Sequence, residues 1–295
     1  MATVSRGGTR DRFRFIQRYG QDLGVSYLCD WLNVSRSGYY AFIGRPESQH
    51  TLDDKKLTAK IIEIHRDSRE VYGSPRIHKT LQREGVSVGK KRVERLMRSQ
   101  GLQGRVARVT RRQPSLKGFR ERGDNLRLNS PDANTINQVW VADITYLKVR
   151  DTYRFLTVVM DIYSRRILSW SLTSDRTTKE TAIVLKRAAQ ERLPATGLIF
   201  HTDRGSEFTG SVFRKVLQKY QMKASVNRLG YCTDNGHMES FFHSLKTELI
   251  RGRKFNSMPE LRYALNSYIN HFYNKKRLHS GIGYCSPIEY EKLAA

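Results

Sequence analysis

From Gln138 onward, the order of hydrophobic patterns leaves few folds open to the chain. The stretch VWVADITYLKV reads as a strand, and Tyr153–Asp161 as a second one after a turn at Arg150-Asp151. Arg166–Leu172 reads as a third. A helix is expected at Lys179–Leu193, with Ile183, Val184 and Leu185 on or near one face. Gly197–Asp203 (GLIFHTD) follows as a short apolar strand, Thr209–Met222 as a helix and Lys223–Arg228 as a strand. A glycine-rich loop, Gly230–Gly236, then leads into a helix from about His237. Strands joined by short turns form an antiparallel meander, whereas strands reached across a helix run parallel to a neighbour.

That order, β-β-β-α-β-α-β-α, is the order of an RNase H-like domain. The expected fold class is therefore α/β, a mixed five-stranded sheet with flanking helices, preceded by small all-α helix-turn-helix domains. Val25, Leu28, Cys29 and Leu32 fall at helical spacing, and Ser35 can cap a second helix through Tyr39, Tyr40 and Phe42. The pattern recurs at Arg76–Glu84, with a turn at Gly85-Val86 and Ser87 before a helix carrying Val93, Leu96 and Met97. Gly101 supplies its stop. The boundaries expected are 1–50 and 51–104 for the two helix-turn-helix segments, 105–135 for a basic linker, 136–255 for the core and 256–295 for a C-terminal helical extension.

Charge narrows the partners. Lys and Arg number 53 against 28 Asp and Glu, a net of +25, which favours polyanions and nucleic acid above all. The outward face of the last N-terminal helix carries Lys90, Lys91, Arg92, Arg95 and Arg98, as a helix laid in the major groove would. The linker is polar, basic and nearly free of apolar periodicity, and reads as a spacer or as a segment lying along a phosphate backbone. Cys29, Cys232 and Cys285 are scattered, so neither a disulfide framework nor a cysteine zinc site is expected. No apolar run approaches membrane-spanning length and the N-terminus lacks the apolar core of a secretory signal, so a cytoplasmic, nucleoid-associated protein is expected.

Three acids stand where the topology brings elements together. Asp143 interrupts the apolar run VWVADITY, and a carboxylate in a core strand is costly unless paired or metal-bound. Asp203 ends GLIFHTD, at the strand edge where sites form in α/β sheets. Glu239 lies near the start of the last core helix, and the 35 residues between it and Asp203 leave room for one helix, one strand and a loop. Phosphodiester chemistry suits such a set, because two Mg²⁺ ions can steady both the attacking and the leaving oxygen of an in-line displacement. His201, Arg204 and Asn235 flank the acids and are candidates for phosphate or metal-shell contact, against strand packing, an ion pair and a turn-forming amide. Asp161, in DIYSRR, reads better as a turn and ion-pair unit than as a fourth ligand. Trp140 and Trp170 read as core.

WVADITYL, DIYSRR, HTDRGSEF, DNGHMESFFHSLKTE and YINHFYNKKRLHSGIGYCSP resemble the OrfB transposases of the "insertion sequence three" family, which are related to retroviral integrases. The resemblance spans nearly the whole chain from about Leu23. It implies that Asp143, Asp203 and Glu239 are both catalytic and metal-binding, with Mg²⁺ (two ions, Mn²⁺ substituting) as cofactor. It also implies that Lys246, seven positions past Glu239 and on the same helix face, contacts DNA near the scissile phosphate. Arg204, Asn235 and the basic helix would complete the DNA contacts. The implied reaction is cleavage at the element's ends followed by 3′-OH strand transfer, by a copy-out, paste-in route. The partners would be terminal inverted repeats and target DNA, a second copy of the chain in a dimer or larger assembly, and an OrfA protein. The chain begins without a zipper-like heptad, as the OrfB frame alone would, or a protein that assembles by other means. Two other classes remain open at this level. A non-catalytic DNA-binding regulator has no use for three convergent acids, and an RNase H-type nuclease has none for the basic N-terminal region or the C-terminal tail.

Overall fold

The computed structural model describes residues 8–105, 124–127, 132–228 and 232–294. Most of the expected basic linker and part of the loop at Gly230 lie outside them. The chain divides into two compact units, Met1–Lys60 and Ile61–Ala295.

In the first unit, helices α1 (Thr9–Leu23), α2 (Val25–Trp31) and α3 (Arg36–Ile43) close around Phe13, Ile16, Leu28, Cys29, Leu32 and Tyr39. The α2–α3 pair is the one expected, and the Ser35 hydroxyl accepts from the Gly38 amide at 3.0 Å, satisfying a donor the helix start leaves bare. α1 was not expected, because its three buried positions, Phe13, Ile16 and Gly20, are interleaved with arginines. A long helix, α4 (Gln49–Asp67), follows.

In the second unit, α5 (Ser74–Arg83) and α6 (Lys90–Ser99) bury Ile77, Leu81, Val93, Leu96 and Met97. Gly85 takes the left-handed φ of +77° at the turn between them. α6 starts at Lys90 behind Gly89 rather than directly after Ser87, and Gly101 (φ +66°) ends it as expected. Lys90, Lys91, Arg95 and Arg98 are exposed, and Arg92 is half-buried.

The sheet has the order β3-β2-β1-β4-β5, formed by β1 (Val139–Val149), β2 (Thr152–Asp161), β3 (Ile167–Thr173), β4 (Ile199–Thr202) and β5 (Lys223–Val226). β1, β2 and β3 are antiparallel, while β4 and β5 join parallel to β1. Helices α7 (Thr178–Arg192) and α8 (Ser211–Lys219) make the crossovers. Trp140, Ala142, Val159 and Phe200 pack beneath them with Leu185, Ala188, Phe213 and Leu217. Each such large apolar side chain contributes about 1.5–3 kcal/mol when buried. Ile183, expected on the apolar face of α7, is exposed, and Trp170 is only half-buried.

Side chains alternate along a strand, so Val141 and Asp143 point to the opposite face, where α9 (Gly236–Leu245) packs on β1. α9 continues through a wide helical turn, Lys246–Ile250, and the tail adds α10 (Met258–Asn266) and α11 (Pro287–Ala294). The tail is tied to the sheet. Asn274 both donates to and accepts from the Ile167 backbone, and Glu291 accepts from Arg166, Arg192 and Ser164. Asp161 is fully buried and accepts from the amides of Asn137, Tyr163 and Ser164, the turn role expected of it. Residues 124–127 run along the end of β5 rather than free, with Asp124 accepting from Val226 and Arg127 donating to the Asp234 carbonyl. Among the described residues, no helix is long and apolar enough to cross a membrane.

Candidate active site

The parallel pairing of β1 with β4 ends at Val141↔His201. Two residues further along stand Asp143, within β1, and Asp203, just past the end of β4. The edge of β1 opens at this point. There the Asn235 amide, at the N-terminus of α9, donates to the Ala142 carbonyl at 3.2 Å and holds the helix start beside Asp143. Glu239 follows in the first turn of α9, exposed to solvent.

The electrostatics confirm that these groups feel one another. Burial raises Asp143, the charge of Asp203 raises it further, and Glu239 and Glu207 add to the effect. The Ile144 amide, donating at 2.7 Å, opposes them, and the Asp143 carboxyl ends at about 7. Asp203 is also raised, by burial and then by Glu207, against the Gly205 amide and Arg176. The charge of Asp203 is thus one of the causes that raise Asp143.

Glu207 is a fourth acid that sequence reasoning passed over. It is 4% exposed, paired with Arg176 at 3.4 Å, and its backbone carbonyl accepts from Thr181 at 2.7 Å. A Cβ on Gly205 would lie 2.7 Å from the Glu207 carboxylate and 2.9 Å from Asp203, so only glycine lets the two acids stand this close. The available signal was an acid four residues past Asp203 in a turn rich in small residues.

The flanking residues separate into distinct roles. His201 is fully buried, with Nδ1 on Ser225 at 2.8 Å and Nε2 on Asn227 at 2.7 Å, and burial pushes its pKa down to about 4. Both nitrogens are spent on packing the β4–β5 edge, so it offers none to phosphate or metal. Asn235, expected to face DNA, is 3% exposed and positions α9 instead. Arg204 directs Nε to the Asn227 carbonyl at 2.7 Å, pinning the loop after β4. Lys246 lies 5.1 Å above the Tyr146 ring, its pKa lowered by burial and supported by the charge of Asp143, which places it beside the acids.

Comparison with known proteins bears on this geometry. Residues 133–232 and 239–293 match models described as "Integrase core domain", and residues 51–110 match an "HTH-like domain". Transposase InsF for insertion sequence IS3A of Escherichia coli (strain K12) is 31% identical over 286 residues, covering 95% of this chain and 98% of InsF. The chain belongs to this transposase family. The transposase for IS904 of Lactococcus lactis is 34% identical across 84% of this chain and 98% of its own length. A 31 kDa protein of insertion element IS600 from Shigella sonnei is 35% identical across 91% of this chain and 100% of its own.

The transposase is therefore an enzyme of DNA transposition, built on an integrase core with an HTH-like segment that implies DNA as its partner. An integrase core also implies dependence on a divalent metal ion. The residues fit one. Asp143 and Asp203 offer hard oxygen donors, both raised first by burial and then by neighbouring acids, and a cation would compensate their charge. Among the described residues, no three acid, His or Cys side chains converge tightly enough to form a ready ion cage. Asp143 and Asp203 are largely withdrawn from water, and Glu239 is exposed on the first turn of α9.

Proposed function

We propose that Asp143, Asp203 and Glu239 are the catalytic acids of metal-dependent DNA cleavage at the element's ends and of 3′-OH strand transfer into target DNA. The observation that carries this reading is the meeting of Asp143 on β1, Asp203 just past the neighbouring parallel strand and Glu239 on α9, with the charges of Asp203 and Glu239 both raising Asp143. Divalent cations held there, two Mg²⁺ ions replaceable by Mn²⁺, would stabilise the attacking and departing oxygens of the displacement. Asp143 would hold them from β1, Asp203 from the loop after β4 and Glu239 from α9. Gly205 keeps the Asp203 loop tight, and Asn235 fixes the helix start. No covalent link between enzyme and DNA is involved, since none of the three acids needs to act as a nucleophile.

Lys246 contacts the backbone phosphate beside the scissile bond, and Arg204 and the basic face of α6 (Lys90, Lys91, Arg92, Arg95, Arg98) carry further DNA contacts. Two ends must be processed together, so the working form is a dimer or larger on the terminal inverted repeats, with an OrfA protein as a possible component. The protein acts in the cytoplasm at the nucleoid. Lys246→Ala should weaken binding of an element-end duplex roughly tenfold and lower the slope of log affinity against log salt by about one. Anisotropy titrations between low and moderate salt measure both. An unchanged slope removes Lys246 from the phosphate contacts.

The reading is tested with purified protein, a labelled duplex carrying the element's own end, and Mg²⁺ or Mn²⁺. Joined strands are expected. A gel shift without cutting would favour a DNA-binding regulator, and cutting of RNA–DNA hybrids without joining would favour a nuclease.

A further inference from the structure

A cavity of about 290 Å³ opens on the side of α9 away from the acids. His237 and Ser240 line it, about 100–160° around the helix from Glu239. Arg76 enters from α5, Arg165 from the turn after β2, and Arg277 and His279 from the tail. Among the described residues its lining includes no Asp or Glu.

The wall is rich in donors. Arg277 is neutralised from behind by Glu248 at 2.6 Å, and Arg76 spends Nε on the Leu278 carbonyl at 3.0 Å. Arg277 Nη1 lies 3.3 Å from His279 Nδ1, and His279 Nε2 is buried in the wall. Arg165 occupies the left-handed region at φ +64°, where glycine would be relaxed, so a cationic side chain is kept there against its backbone preference.

We propose that this cavity is a phosphate site, separate from the catalytic acids, and that it takes a backbone phosphate of the DNA being processed. A lining that holds three arginines and no Asp or Glu asks for an acceptor-rich anion. The volume exceeds that of a bare phosphate and leaves room for the attached sugar. The choice of DNA as the source rests on the transposase reading; the phosphate chemistry does not.

The test uses the full chain with Arg165→Gln and Arg165→Lys, after melting curves show that both fold. Affinity for an element-end duplex is measured against salt, and inorganic phosphate is titrated calorimetrically. If the salt slope falls by about one in Arg165→Gln and returns in Arg165→Lys, the site holds a DNA phosphate. If the slope holds but the heat of phosphate binding disappears in Arg165→Gln, the site holds a free phosphate instead. If neither changes, the proposal is overturned. Should wild type bind inorganic phosphate yet join no DNA, the transposase mechanism fails while this site stands.

Discussion

Asp143→Asn is expected to give a metal-free protein that melts higher than wild type at pH 8, yet joins strands roughly 10³-fold more slowly or worse. Asp143 stands at about 7 in the fold against an ordinary carboxyl value of 3.8. Below pH 4 the group is protonated in both folded and unfolded chains and costs nothing. Between pH 4 and 7 the unfolded chain ionises while the fold keeps its proton, so stability drains away as pH rises, and the loss is complete above 7. Partial exposure reduces the effect to on the order of 2 kcal/mol. Asparagine keeps an acceptor for the Ile144 amide and removes the repulsion from Asp203. Melting temperatures in chelator at pH 5 and pH 8 should therefore differ more in wild type than in the variant. Equal pH dependence in both would show that Asp143 is not the strained carboxylate described. Protons also compete with a cation at this pair, so metal-supported joining should fall as pH drops below about 7.

Arg277→Met should cost the most stability of any single change considered, roughly 3–5 kcal/mol. Its guanidinium meets the Glu248 carboxylate at 2.6 Å and 2.9 Å in a buried setting, where the Tyr268 hydroxyl also donates to Glu248 at 2.7 Å. Without the arginine, that carboxylate is left buried with one neutral donor. The pair binds the continuation of α9 to the C-terminal tail, so its loss loosens the helix that carries Glu239. A fall in melting temperature of about 10 °C is expected. Arg277→Met combined with Glu248→Gln should recover most of it, because no uncompensated charge then remains. If the double variant is no more stable than the single one, the cost lies in packing rather than in the stranded carboxylate.

The sheet was legible because its strands carry strong, well-punctuated patterns. The bounds of β1 match the expected VWVADITYLKV, and the crossovers fall where the helical periods place them. Asp143 and Asp203 could be singled out because each carboxylate sits at the inner edge of an apolar strand. Their nearness became visible only with the β1–β4 register, which no local pattern encodes. Glu207 escaped notice because burial of an acid depends on a partner, here Arg176, brought in from the far end of β3. The Asn235 bond to Ala142 escaped notice for a related reason: a turn-forming amide and a buried clasp on a neighbouring strand look the same in one dimension. α1 was hidden by its arginines, and residues 124–127 looked like spacer because their partners, on β5 and at Asp234, lie about 100 residues away in sequence.

The most direct test of the three-acid site is strand transfer by Glu239→Gln beside wild type, on a duplex bearing the element's own end with Mn²⁺ present. Glu239 is exposed in the first turn of α9, so the substitution leaves the fold intact and removes one charged oxygen donor. The account predicts joined products from wild type, none above background from the variant, and equal DNA binding by both. Joining by the variant at a rate near wild type would contradict it and would move the chemistry away from Glu239.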